Sequence, residues 1–413
     1  MCWRSSFGIV SIWSESGRQS MRPETTASCG KLARGADTGM WVSGGFRDTC
    51  RRALAAGLYH TRLLQVARRF EGTHELCSVP GARWPRLRRF AGPKFGILCY
   101  HRVGTEGVPL FSRLSRNVFE TQMRYIREHY RVVSLGQLCR ELQEGHAVPP
   151  TLAVTFDDGY RDLYTYALPV LQKYQIPATV YLIGRCMETG EAPWYDRVFA
   201  AVEAAPGAWL EMELDGPRRL ELSSPATRLR AAWEIVCYLR SVSDSWRREW
   251  FAGFEQRMKP PAEKLENRML NWEQERGGVS FGAHTMTHPV VSRLEPEAFG
   301  KELLESKRLL ENGLGACMAD FAYPFGKLED CGFAAEEFLK SCGYRSAVTT
   351  IDCFNAADTD RLRLRRLQID ENWSTTDFAF HLSRLFFQPS GDLAAFSSGG
   401  STSGESHAGS VGV

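Results

Sequence analysis

Two short strings carry most of the chemistry in this chain: Thr155-Phe156-Asp157-Asp158-Gly159 and His284-Thr285-Met286-Thr287-His288. The first sets adjacent carboxylates just after an apolar run, Leu152-Ala153-Val154. The second holds two imidazoles four residues apart. One carboxylate and two histidines are a common three-ligand set for a divalent ion that keeps a position open for water. The other Asp is then free to act as a base. Metal-assisted hydrolysis is the chemistry this points to. Zn²⁺ heads the ions such a set accepts, with Co²⁺ and Ni²⁺ behind it.

Those residues need a scaffold, and the chain supplies one by alternating apolar runs with helical patterns, as βα units of a parallel sheet do. Strands are expected at residues 95–100, 152–156, 178–183, 279–283, 320–323, 346–350 and 362–369. Helices are expected at 117–129, 134–144, 164–174, 296–312 and 334–341. Seven such units predict an α/β fold, a distorted and incomplete (β/α)7-type barrel. In barrels of this kind the chemistry collects at the C-terminal ends of the strands. His101, Asp157, Asp158 and His284 all follow an expected strand directly.

An insertion over 189–275 interrupts the pattern and holds Trp194, Trp209, Trp233, Trp246, Trp250 and Trp272. Its first part reads as a hairpin around Asp215-Gly216. The tryptophans read first as a local core and second as a sugar platform. Trp194-Tyr195-Asp196-Arg197 reads first as structural and second as one rim of the cleft.

The remaining organisation follows from composition. Residues 1–49, rich in Ser, Gly, Arg and Thr, are expected to be disordered, or untranslated if Met21 or Met40 is the start. Residues 50–94 read as a basic amphipathic helix and linker, with 51–70 as candidate peripheral membrane contact. The barrel domain is expected over 95–388, and a disordered Gly/Ser-rich tail over 389–413. Net charge is +3, which excludes a polyanion binder by composition, so no nucleic-acid partner is expected. Residues 1–94 carry sixteen Lys/Arg against six Asp/Glu, a surplus of ten that leaves the rest of the chain at −7. The 12 cysteines form no C-x-x-C pair, which favours a reducing compartment. Neither a membrane span nor a cleavable signal peptide is visible. The expected location is cytoplasmic, or peripheral at the inner membrane face.

Four motifs in order carry a resemblance to a known family: Cys99-Tyr100-His101-Arg102-Val103, the Asp-Asp string, the His-x-x-x-His string, and Phe321-Ala322-Tyr323-Pro324-Phe325-Gly326. Together they resemble the polysaccharide deacetylases, carbohydrate esterase family 4, across about residues 95–380. The resemblance implies that Asp158, His284 and His288 bind the metal and that Asp157 is the general base. It also implies an oxyanion N–H at Phe325, with Tyr323 and Thr285 in the same group and Thr285 as the hydroxyl that fixes the histidine loop. His101 is the favoured general acid, and His381 is the alternative. Many relatives have Arg-Pro-Pro-Tyr where this chain has Ala322-Tyr323-Pro324-Phe325, so the arginine that usually holds the base is missing. Arg365 or Arg366 could replace it, and Arg366 is the preferred candidate. The implied function is removal of N-acetyl groups from a glycan containing N-acetylglucosamine. The competing readings are a non-catalytic, metal-dependent glycan binder, and a hydrolase of a non-sugar amide or ester.

Overall fold

The computed structural model describes residues 95–104, 113–144, 150–266, 268–273, 278–332 and 335–387. The expectations for 1–49, 50–94 and 389–413 lie outside the described residues.

Seven parallel strands form the frame: β1 (Phe95–Tyr100), β2 (Thr151–Phe156), β3 (Ala178–Leu182), β4 (Ser280–Ala283), β5 (Asp320–Ala322), β6 (Ser346–Val348) and β7 (Leu367–Gln368). They pair in the order β6-β5-β4-β3-β2-β1-β7. Residues of β1, β2 and β3 are buried on both faces, so their sequences are nearly unbroken apolar runs. Side chains still alternate between two cores. Phe95, Ile97, Ala153, Tyr181, Ala322, Val348 and Leu364 meet inside the barrel, where Leu135, Leu138 and Leu142 of helix α1 (Leu135–Gln143) join them. The opposite faces, among them Leu98, Leu152, Val154, Val180 and Phe321, pack against the surrounding helices.

The seventh strand differs from the expected run over 362–369. Only Leu367 and Gln368 pair with β1, opposite Leu98 and Cys99. Just before them Leu364 bridges to Val348 of β6, its N–H donating to the Ala347 carbonyl at 2.9 Å. The segment thus crosses from one edge of the sheet to the other within a few residues, which closes the barrel and shortens the strand. Burial alternates through it: Leu364 and Arg366 face inward, and Arg365 is only half-buried.

The expected helix at 164–174 splits into a wide turn, Leu163–Ala167, and a regular helix, Leu168–Tyr174. In the insertion, α2 (Trp194–Ala204), α3 (Pro225–Ser241) and α4 (Asp244–Met258) pack with a hairpin of Trp209–Glu213 and Pro217–Glu221. Trp194, Phe199, Ile235, Phe251 and Phe254 build its separate core, with Trp233 and Trp250 at the edge. Trp209 and Trp246 are exposed, while Trp272 packs on the barrel's outer core. No helix among the described residues is long and apolar enough to cross a membrane.

Gly282 of β4 lies one position before the strand ends and two before His284. A Cβ there would stand 2.6 Å from the Tyr181 ring and 2.8 Å from the Asp320 carbonyl oxygen. Because that oxygen is backbone, the strand itself must shift. Gly282→Ala is expected to cost about 1–3 kcal/mol by overpacking, read as a lower denaturant midpoint.

Candidate active site

His101, Asp157, Asp158 and His284 sit where a strand stops. The ladder of β2 continues one step past Phe156, with Asp157 N–H donating to the Tyr100 carbonyl at 3.0 Å. Asp158 then turns left-handed at φ 70° and Gly159 follows at φ 78°. The end of β4 is built alike, since His284 N–H donates to the Leu182 carbonyl at 2.9 Å and Thr285 turns at φ 63°. His288 and Phe325 are also left-handed, at 55° and 60°. Non-glycine residues rarely hold that conformation, and those that do cluster at functional sites.

Asp158, His284 and His288 come together as a buried group. The Asp158 Oδ1 lies 3.6 Å from His284 Nε2 and 3.4 Å from His288 Nε2, and the two Nε2 atoms are 3.1 Å apart. His284 Nδ1 is 2.7 Å from the Ala322 carbonyl, to which it can only donate, so its Nε2 carries the lone pair. Burial holds the His284 pKa below its ordinary value, and burial plus the His284 charge holds that of His288 well below it. Both imidazoles are therefore neutral near pH 7, the form that ligates a metal. Burial and the Asp157 charge push the Asp158 carboxyl well up. Two lone pairs and a carboxylate in need of a counter-charge, all within 4.8 Å, fit a divalent cation.

Asp157 is held differently. Arg366, wholly buried at the barrel seam, donates from Nη1 to Asp157 Oδ1 at 2.7 Å and from Nη2 to Oδ2 at 2.6 Å. Its Nε donates to the Thr349 carbonyl at 2.7 Å, and Nη1 also to Thr155 Oγ1 at 3.2 Å. Burial alone would raise the Asp157 carboxyl, but the Arg366 charge and hydrogen bonds outweigh it and hold the group well below the usual range. One carboxylate is thus permanently charged beside another that is not. His101 places Nε2 3.9 Å from Asp157 Oδ2, and burial brings its pKa down to about 4.

The histidine loop is fastened from several sides. Thr285 Oγ1 accepts from the His288 N–H at 3.0 Å and donates to the His284 carbonyl at 2.5 Å. Glu302, buried on the helix Pro296–Leu314, accepts from the Met286 and Thr287 N–H groups, both at 2.8 Å, and from Thr287 Oγ1 at 2.7 Å. The insertion adds Trp194, whose Nε1 donates to the His288 carbonyl at 3.0 Å. The Tyr195 ring meets the His288 ring edge-on at 4.9 Å, and its buried hydroxyl favours the charged form of the Asp158 carboxyl. Among the described residues no hydrogen bond takes the Phe325 N–H. The Phe325 ring packs on His288 at 4.8 Å beneath the Arg240 guanidinium.

Several expectations need correction. Tyr323 does not face a substrate: its ring is fully buried, and its hydroxyl donates to the Leu362 carbonyl at 3.1 Å. A phenol in the apolar layer under the turn needs that internal acceptor. Thr285 is likewise fully buried: its hydroxyl fixes the histidine loop, and only its grouping with substrate residues falls away. Trp194 is buried too, so it forms no rim. His381 stacks on Trp373 at 4.0 Å, on the helix Thr375–Phe387, whereas His101 stands beside Asp157. Arg365 bonds Asn355 through its backbone only, and Arg366 is the arginine that reaches Asp157. Glu302 was invisible in the sequence, because a glutamate inside an amphipathic helix carries no local mark of its partners. Tyr195 was visible only as part of a tryptophan-rich string.

Fold and site together define an α/β barrel in which one carboxylate and two imidazoles are grouped as a metal ion could use them. A family model described as polysaccharide deacetylase matches residues 144–218 and 254–347, its gap falling inside the insertion. Over those residues the chain is similar to the polysaccharide deacetylases, a family of hydrolases that act on carbon–nitrogen bonds and are generally metal-dependent. It is 22% identical over 297 residues to a putative polysaccharide deacetylase, YxkH, of Bacillus subtilis, covering 71% of this chain and 77% of that protein. It is 34% identical over 99 residues to a poly-beta-1,6-N-acetyl-D-glucosamine N-deacetylase of Escherichia coli, but that match spans 23% of this chain and only 15% of the relative. Among solved structures, the deacetylase PplD of Streptococcus pyogenes aligns with a TM-score of 0.47 at 20% identity, over 70% of this chain and 99% of that one.

Two outcomes follow for the site. Arg366→Met leaves a buried carboxylate unpaired and should cost about 3–5 kcal/mol; Asp157→Asn added to it should recover part of that loss in a double-mutant cycle. Tyr195→Phe removes only a hydroxyl, and should weaken metal binding to the metal-free protein about 10- to 100-fold, measured by chelator competition.

Proposed function

We propose that this protein removes N-acetyl groups from an oligo- or polysaccharide containing N-acetylglucosamine, using a divalent ion, with Zn²⁺ first among candidates. The supporting observation is the division of labour between two adjacent carboxylates. Asp158 faces two neutral imidazoles, while Asp157 is locked by Arg366 and kept ionised. Asp158, His284 and His288 would hold the ion, which supplies Lewis acidity to the acetyl carbonyl and to the attacking water.

The protein's own groups handle the protons. Asp157 takes one from the attacking water, and the Phe325 N–H donates to the oxygen that gains charge. His101 starts neutral, since its pKa is about 4, and must gain a proton before it can give one. Asp157, held low by Arg366, is a weak base that passes its proton on readily. The 3.9 Å from Asp157 Oδ2 to His101 Nε2 is a short movement from a transfer distance. His101 then protonates the departing amine. The substrate class follows the N-acetylglucosamine-polymer deacetylases among the relatives.

Acetate release from a panel of N-acetylated glycans, with chelator and with added metals, tests the reading. Asp157→Asn should lower turnover about 10²- to 10⁴-fold while metal content is unchanged, and His284→Ala should lose both. Full turnover in the Asp157→Asn protein, or acetate release indifferent to chelator, would overturn it.

A further inference from the structure

One group beside the proposed machinery has no part in it. Cys99 is the third of four interior-facing positions on β1, counting Phe95, Ile97, Cys99 and then His101 just past the strand. It is fully buried, and its Sγ lies 3.6 Å from Asp157 Oδ2. His101 Nε2 approaches the same oxygen at 3.9 Å. One sulfur, one imidazole nitrogen and one carboxylate oxygen therefore converge, all within 4.8 Å of one another. Donors about 2.0–2.3 Å from a shared tetrahedral ion stand about 3.3–3.8 Å apart, close to the spacing found here.

We propose that Cys99, His101 and Asp157 form a second, inhibitory site for a thiophilic divalent ion such as Zn²⁺, beside the Asp158–His284–His288 set. This rests on the deacetylase reading, because inhibition follows only if Asp157 and His101 are the groups that move protons. Bound there, the ion takes the Asp157 lone pair and the His101 Nε2 together. Arg366 does not block it: the guanidinium occupies one edge of the carboxylate, and each carboxylate oxygen has a further lone pair. As the metal–sulfur bond forms, the Cys99 sulfhydryl releases one proton and nothing is oxidised or reduced. The half-buried His101 is the exposed end of the group and gives the ion its approach. A thiolate selects soft ions, so Zn²⁺ and Cd²⁺ should inhibit at concentrations where Mn²⁺ does not.

The test uses the full chain, loaded with one equivalent of metal and titrated with Co²⁺ or Zn²⁺. Wild type should take up a second ion, show a thiolate-to-cobalt charge-transfer band in the near ultraviolet, and lose acetate release at least about tenfold. Cys99→Ser and Cys99→Ala should bind one ion fewer, lack the band and keep their rate in excess Zn²⁺. His101→Gln should weaken only the second ion. A wild-type protein that binds a single ion without the band overturns the proposal, whether or not the variants fold. So does unchanged inhibition in both Cys99 variants. A Cys99-dependent band in a protein that deacetylates no glycan upholds this site and refutes the proposed function instead.

Discussion

The buried pair of Arg366 and Asp157 is the constraint around which the site is organised. Both groups are almost wholly buried, and removing two charges from bulk water costs several kcal/mol per ion unless geometry repays it. Here the repayment is nearly complete. The guanidinium makes two parallel bonds to the carboxylate and two more to Thr349 and Thr155, so four donor directions are satisfied. The pair also ties the end of β2 to the segment that closes the barrel. Closure and the charge state of Asp157 therefore depend on one contact.

A second constraint is backbone shape. Asp158, Thr285, His288 and Phe325 are all left-handed non-glycine residues, and each such residue costs about 1–3 kcal/mol. The surroundings impose them: Glu302 anchors the histidine loop from one side, and Trp194 and Tyr195 hold it from the other. The insertion is thus more than an appendage. Its small aromatic core runs on to Phe325, so it braces both the ligand loop and the turn that carries the expected oxyanion donor.

Much of the fold was legible because its signals are local. Apolar runs bounded by turns located six of the seven strands to within two residues, and four of the five helices nearly as closely. Leu362–Ile369 was misjudged because its inward and outward alternation is real, yet its hydrogen bonds are divided between two edges of the sheet. Alternation records which side chains are buried and is silent on which strand is the partner. The grouping of Asp157, Asp158, His284 and His288 was legible through two strings of neighbouring residues. Tyr323 was misplaced among the substrate groups because a motif records that a residue is near the chemistry, not which way its side chain points.

The sequence by itself determined which carboxylates and imidazoles are on offer, their place after strands and the class of fold, since these depend on residue identity and short-range spacing. Tertiary structure alone decided that Arg366 and not Arg365 meets Asp157, that His101 and not His381 stands beside it, and that Glu302 and Tyr195 brace the histidine loop. Each of those contacts joins residues far apart in the chain. Their existence rests on how the barrel closes and how the insertion folds back, which no window of sequence contains.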